Sequence, residues 1–409
     1  MTRLWTLRDY RLLFSASAIS NLGDGVSALA FPWLATLITR DPMLIALVAF
    51  ATRLPWLLFS IPAGVWTDRA DRRRLMVQAD LLRMALTCGV IGVILTVPAF
   101  PVEQDLLYIG ALSVLAFLLG SAEVVRDNAA QTILPSVVPG ERLEQANGQI
   151  WSIEQVMGSF IGPPLAGLLI AFAVPAPFAL DAITFGTAAV LVWCMVLRPR
   201  ARPEPRPVLQ EVREGISWMW RHKTVLQLAV MLGVMNAMAL MTLTVLILFS
   251  QEILGLNAAQ HGLLLTAGAA GGVIGGLVCP TIAARTGQFR ALMIALPVFA
   301  LSFVMIWMAS SPIMVATALF AEMFAALLWN VVTVSYRQRL IPDALLGRVN
   351  SLYRFFGWGM MPLGALAAGF IVALAEPQLG RETALRLPYL LGAFGMGMVW
   401  IYACFRLRL

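Results

Sequence analysis

Long apolar runs, each near or above the ~20 residues that a helix needs to cross a ~30 Å hydrocarbon layer, recur from one end of the chain to the other. There are twelve, at approximately 12–38, 44–66, 75–97, 106–134, 147–173, 177–197, 225–250, 262–284, 291–309, 313–336, 349–375 and 387–405. In hydrocarbon every backbone N–H and C=O must find a partner, and runs of this length meet that condition as helices. The chain therefore reads as an all-α polytopic membrane protein. Composition agrees: 60% of the 409 residues are hydrophobic and 12% are charged, where soluble domains carry about 25% charge.

Arginine alternates between the loops. One side collects Arg3, Arg8 and Arg11, then Arg69, Arg72, Arg73 and Arg74, Arg142, the stretch 198–223, Arg285 and Arg290, Arg337, Arg339 and Arg348, and finally Arg406 and Arg408. The other side holds Arg40, Arg381 and Arg386. Lys and Arg accumulate in cytoplasmic loops, so both termini and the central loop are expected in the cytoplasm, with the chain in the inner cell membrane. This placement accounts for the net charge of +7 without invoking nucleic acid. The first run lacks a convincing cleavage site and reads as a retained span. Cys88, Cys194, Cys279 and Cys404 show no CxxC spacing and the two histidines, His222 and His261, lie far apart. No disulfide, metal site or cofactor is expected.

The one long proline-rich, charged stretch, "RPRARPEPRPVLQEVREGISWMWRHK", divides the chain nearly in half. Pro199, Pro203, Pro205 and Pro207 forbid a regular helix at its start, while 208–220 has helical spacing and Trp218 and Trp220 suit a membrane interface. Residues 199–223 thus read as a cytoplasmic tether between a bundle at 1–198 and a second at 224–409. The halves resemble each other: "ILPSVVPGERLEQANG" and "LIPDALLGRVN" each place a Pro, a short charged loop and an Asn, at Asn147 and Asn350, ahead of a Gly/Pro-rich helix. Two like-oriented six-helix bundles with a midplane interface follow, the usual location of a transported substrate.

The apolar pattern is broken by "GVWTDRADRRRL", residues 64–75. Arginines there suit anionic headgroups at about 1 kcal/mol each, which leaves the aspartates unexplained. Asp68 is placed either to cap the third span or to pair with arginine from a neighbouring helix. Gly64, Asp68, Arg69, Arg72, Arg73 and Arg74 resemble the G-x-x-x-D-R-x-G-R-R/K signature of the major facilitator superfamily, with Asp71 in the usual glycine position. "SNLGDG", with Asp24, and "FPWL" in the first span match further. Gly158, Gly162, Pro163 and Gly167 in "GSFIGPPLAG" resemble the fifth-span antiporter motif, with Leu168 where a second glycine is conventional. The resemblance covers essentially the whole chain and points to the twelve-span drug:H⁺ antiporter branch, which also contains macrolide and siderophore exporters. It implies two pseudo-symmetric bundles, and a conformational latch at the 64–74 segment in which Asp68 meets Arg354, or alternatively Arg348.

Charges inside hydrocarbon cost at least about 2.5 kcal/mol on insertion scales, so each ionisable residue within a span is a functional candidate. Asp80 and Arg83 are three apart and read as a local pair; Arg53 is placed to meet Asp24. The densest cluster is Glu123, Arg126 and Asp127, two acids around one arginine on a helical face. A carboxylate there whose proton affinity changes as access alternates can load a proton on one side and release it on the other. Asp24, between Gly23 and Gly25, is the other leading candidate for proton coupling. Substrate-cavity candidates are Asn21, Phe31, Trp151, Glu154, Asp181, Met235, Asn236, Glu322, Trp329, Asn330 and Trp358, acids and amides among adaptable apolar walls.

The expected activity is proton-driven export of hydrophobic or amphiphilic, in some cases cationic, small molecules by a monomer whose partners are substrate, protons and the lipid bilayer. A siderophore, metabolite or lipid transporter of the same fold and a non-transporting receptor or scaffold are the competing readings. No GxxxxGK[ST], HExxH or GxSxG marks an enzyme.

Overall fold

The computed structural model describes residues 4–98, 100, 102, 104–196 and 208–407. The proline-rich start of the expected tether, 199–207, lies outside the described residues, as do the surroundings of Gly64 and the side chains of Asp68, Arg69 and Arg348. The described chain is helical throughout, without strands. Eleven of its helical segments are long and apolar enough to cross a membrane. The remaining expected span is α1, Arg8–Ile38. It falls short in hydropathy because it carries Ser17, Ser20, Asn21, Asp24 and Ser27, of which Ser20, Asp24 and Ser27 meet polar side chains on other helices.

Contacts divide the chain into two units. Unit 1 comprises Met1–Arg40, Ala51–Pro205 and Asn257–Leu263; unit 2 comprises Asp41–Phe50, Arg206–Leu256 and Leu264–Leu409. Unit 1 contains α1 and most of α2 (Pro42–Arg69), with α3 (Arg72–Thr96), α4 (Asp105–Ile133), α5 (Leu143–Gln155), α6 (Gly162–Phe172) and α7 (Ala176–Trp193). Helix α3 packs against α4 and α7, and α1 against α6 and α7. A core around Tyr10, Leu13, Met76, Ile133, Ala188 and Val192 closes one end. There the Tyr10 hydroxyl donates to Gln149 at 2.6 Å.

The "DRADRRR" segment is tighter than a loop. Helix α2 continues through Arg69 and α3 begins at Arg72, leaving Ala70 and Asp71 between them. The cap of α3 is Asp71, whose carboxylate accepts the backbone N–H of Arg73 at 3.0 Å and of Arg74 at 3.3 Å. This corrects the expectation of Asp68 as the cap and explains the departure from glycine: an Asn-, Asp- or Ser-type side chain satisfies donors that a helix start leaves orphaned. Arg72 donates to the Thr132 carbonyl at 2.7 Å, and Arg73 to the Met195 carbonyl at 2.7 Å while lying over Trp193. Both arginines thus tie the start of α3 to the ends of α4 and α7.

The fifth span breaks one turn before its prolines. Pro163 and Pro164 supply no N–H, and the Gly162 N–H reaches back five residues to Met157, so Val156–Ile161 forms a π-helical turn between α5 and α6. At this turn the glycines permit contact with α1. A Cβ on Gly162 would stand 2.6 Å from the Gly25 backbone, and one on Gly25 would collide with the Gly158 carbonyl.

Unit 2 contains α8 (Val208–Arg221), α9 (Lys223–Glu252), most of α10 (Ala258–Thr286), α11 (Gln288–Met308), α12 (Pro312–Leu340), α13 (Asp343–Gly359), α14 (Met361–Leu379) and α15 (Arg381–Arg406). Helix α9 is flanked by α13, α14 and α15, and α11 by α12 and α15. Helix α8 realises the helical spacing of 208–220 and packs on α9 and α13, burying Met219 in the unit's core.

Two substitutions test these local arguments. Asp71→Ala should cost ~1 kcal/mol by unfilling the cap, seen as a lower unfolding midpoint in detergent. Gly162→Ala should lower it further by forcing α1 from α6, whereas Gly148→Ala, with nothing within 4 Å of its Cβ, should leave it unchanged or raised.

Candidate functional site: a buried charge network in unit 1

Three helices of unit 1 carry ionisable side chains to one region. Helix α3 presents Asp80 and Arg83 one turn apart; α4 presents Arg126 beside Asp127; α1 presents Asp24. Arg83 pairs with Asp24, lies 3.2 Å from the Ser20 hydroxyl and 3.8 Å from Asp80. Arg126 lies 3.5 Å from Asp80 and 3.6 Å from Asp127. The order is Asp24, Arg83, Asp80, Arg126, Asp127, alternating in sign across α1, α3 and α4. Three acids against two arginines leave one surplus negative charge.

Burial makes these pairs consequential. Asp80 and Arg126 are each 0% exposed and Arg83 is 2% exposed. Neither oxygen of Asp80 accepts a hydrogen bond from a described residue, so the carboxylate is held by the two flanking guanidinium charges. Arg83 is also sandwiched over the Phe185 ring, 3.8 Å from its centroid, a contact that gains strength when desolvated. Removing one member of such a set strands its partner in low dielectric.

The glycines on either side of Asp24 have separate tasks. Gly25 admits the π turn, and Gly23 leaves room for α7: a Cβ there would overlap the Asp181 carboxylate and the Thr184 hydroxyl. Asp181 is 1% exposed and accepts the Ser27 hydroxyl. Glu123 is half-buried, with Arg83, Asp127, Arg53 and Arg126 as electrostatic neighbours. Glu154 stands near Asp127 and Arg126. Proton-coupling candidates Asp24, Glu123, Arg126 and Asp127 are therefore brought together, along with Asp181 and Glu154.

The pairing differs from expectation in two respects. Asp24 pairs with Arg83 in place of Arg53, because α3 packs beside α4 and α7 and aims Arg83 inward. Asp80 and Arg83, expected as a local pair, are the middle of the network, and Arg126 divides itself between Asp80 and Asp127 without an ion pair to Glu123 among the described residues. The available signal was the i,i+3 acid–base pair inside an apolar run.

The apolar candidates separate. Met235 and Trp329, expected as cavity walls, are 2% and 1% exposed inside the hydrophobic core of unit 2; their packing against α11, α13 and α15 residues accounts for them. Phe31 packs edge-on against Phe178 at 5.3 Å. Asn21 donates to the Ser17 carbonyl at 2.9 Å and Asn236 to the Gly357 carbonyl at 2.8 Å. Trp151 and Asn330 are exposed, Arg354 lies over Trp358, and Glu322 is buried in unit 2.

Arg126→Met should destabilise unit 1 by about 3–5 kcal/mol by stranding Asp80. Adding Asp80→Asn to the same chain should recover much of the loss, and a double-mutant cycle on thermal unfolding in detergent measures the coupling.

The chain is similar to several known transport proteins. The multidrug efflux pump Tap of Mycobacterium tuberculosis is 27% identical over 383 residues, covering 88% of this chain and 85% of the pump. Macrolide efflux protein A of Streptococcus pyogenes is 23% identical, covering 88% of each chain. The staphyloferrin A transporter of Staphylococcus aureus is 24% identical, covering 87% of each. Among solved structures, a bacterial homologue of the iron transporter ferroportin superposes with a TM-score of 0.76 at 18% identity, over 98% of this chain and 99% of that one. The nucleoside transporter NupG gives 0.74 at 12% identity, over 97% and 99%. With the Transmembrane secretion effector family matching residues 5–393, the chain belongs to that family of major facilitator superfamily membrane transporters, which move small molecules and are not enzymes.

Proposed function

We propose that the protein is a proton-coupled exporter of hydrophobic or amphiphilic small molecules, working by alternating access from the inner cell membrane. The observation that carries this reading is the network Asp24–Arg83–Asp80–Arg126–Asp127, buried among spanning helices with one acid in surplus. A proton taken up at Asp24 or Asp127 releases the adjacent arginine, and that arginine's pull on Asp80 strengthens in turn. Protonation at one end thereby changes the helix-to-helix attraction along the whole series. The multidrug and macrolide relatives support apolar substrates, and the surplus acid favours cationic ones.

The 64–74 segment is the proposed conformational latch. Its Arg72 and Arg73 are anchored to the ends of α4 and α7, so a movement of this segment is transmitted directly to the helices that hold Arg126 and Asp181.

The test is a panel of Asp24→Asn, Glu123→Gln and Asp127→Asn in proteoliposomes, assayed for uphill export and for downhill substrate exchange. The coupling residue, when neutralised, should lose concentrative export, by tenfold or more, and keep exchange. Export that persists after the proton gradient is collapsed, with no substrate-induced pH change, overturns the reading.

A further inference from the structure

Unit 2 has a buried acid that the network in unit 1 does not use. Glu322, in the middle of α12, is 9% exposed. Helix α10 packs on this stretch through Gly268, Gly271 and Gly275, which lie against Leu319, Phe320, Met323 and Phe324. The face of α12 next to Glu322 is therefore covered by apolar side chains and closely approaching backbone. Among the described residues Glu322 makes no hydrogen bond and no ion pair.

A second buried polar group faces the same problem. The Tyr389 hydroxyl of α15 is 0% exposed and finds no hydrogen-bond partner among the described residues. Its ring is fixed edge-on by Phe249 at 5.4 Å. The charged groups that act on this hydroxyl are Glu322 and Arg386. Arg386 is engaged elsewhere: it meets Glu382 at 3.0 Å and donates to the carbonyls of Trp307 at 2.6 Å and Ala309 at 3.0 Å. Among the described residues no cation pairs with Glu322.

A lone carboxylate in such surroundings is expensive unless something positive joins it. A proton needs no space and can enter without rearrangement. An organic cation reaches a group this enclosed only after the helices part. We propose that Glu322 is a second proton-binding site, housed in unit 2 and separate from the network of unit 1, and that the Tyr389 hydroxyl, unbonded in this state, takes up a hydrogen bond with the carboxyl once it is protonated. The proton comes from water on one side of the membrane, converts the carboxylate to a carboxylic acid, and returns to water on the other side. Its contribution to transport rests on the proton-coupled reading above; its ability to bind a proton does not.

Two measurements test this on the full-length chain in proteoliposomes. Infrared difference spectra over an acid-to-alkaline titration should show a carboxylic C=O band that titrates, is absent in Glu322→Gln and is displaced in Tyr389→Phe. The number of protons exchanged per substrate, read from the gradient at which flux reverses, should fall by one in Glu322→Gln. Maximal accumulation then drops about tenfold for each unit of pH gradient. A titrating band unchanged in Glu322→Gln overturns the proposal, and an unchanged proton count overturns its part in transport. If Glu322→Gln is not recovered folded, Glu322→Asp and Tyr389→Phe carry the same readout, and an undisplaced band in both overturns it. Should the unaltered protein move no protons with substrate, the coupling reading fails while the infrared titration still decides the binding site.

Discussion

The position of Asp80 depends on one balance: the penalty for removing its charge from water against the attraction of Arg83 and Arg126 on either side. No hydrogen bond from a described residue supplements those pairs, so the balance is electrostatic and long in range compared with a directed bond. Such an arrangement tolerates small helix movements that a bidentate hydrogen bond would resist. It is also sensitive to charge, because neutralising either terminal acid changes what its arginine offers Asp80. Under the proposed proton coupling, the stability of unit 1 and its response to protons draw on the same interaction.

Placing Asp24 at the end of this series is a backbone problem. Its helix must approach the π turn on one side and α7 on the other while the carboxylate reaches α3. Gly23 and Gly25, flanking Asp24, remove the two Cβ atoms that would meet Asp181 and Gly158. The π turn contributes in a related way, since Pro163 and Pro164 deprive the helix of donors and the backbone widens to recover one bond from Gly162 to Met157. The fifth-span glycines and prolines therefore have a local purpose in unit 1: they let α1 sit deep enough for Asp24 to reach Arg83.

Much of the fold was legible because membrane helices announce themselves by length and hydropathy, and because 208–220 carried helical spacing that became α8. The start of α3 was less legible. Asp68 and Asp71 both have a capping side chain, and the choice depended on where α2 stops, which periodicity places only to within a few residues. The candidate site was legible as a set of residues and illegible as a set of pairs. Spacing along α3 and α4 predicts i,i+3 and i,i+4 partners within a helix, whereas Asp24–Arg83 and Asp80–Arg126 depend on which helices are neighbours and how each is rotated. Met235 and Trp329 show the same limit in unit 2, since an adaptable or aromatic side chain suits a cavity wall and a packed core equally well until the surrounding helices are known.

The two halves resemble each other where their chains turn, at the Pro–charged loop–Asn segments ending at Asn147 and Asn350, and differ in how they bury charge. Unit 1 pairs Asp24, Asp80 and Asp127 with arginines inside the spans, while the acid in the middle of α12 has no ion pair among the described residues. A duplicated scaffold does not require duplicated chemistry, because helix packing is decided by small residues and apolar faces that leave interior polar positions free to diverge. A paired network changes its internal attractions when a proton arrives, so it is suited to altering helix packing. A lone carboxyl gains or loses a whole charge with little effect on neighbouring pairs, and is suited to carrying a proton without altering the packing around it.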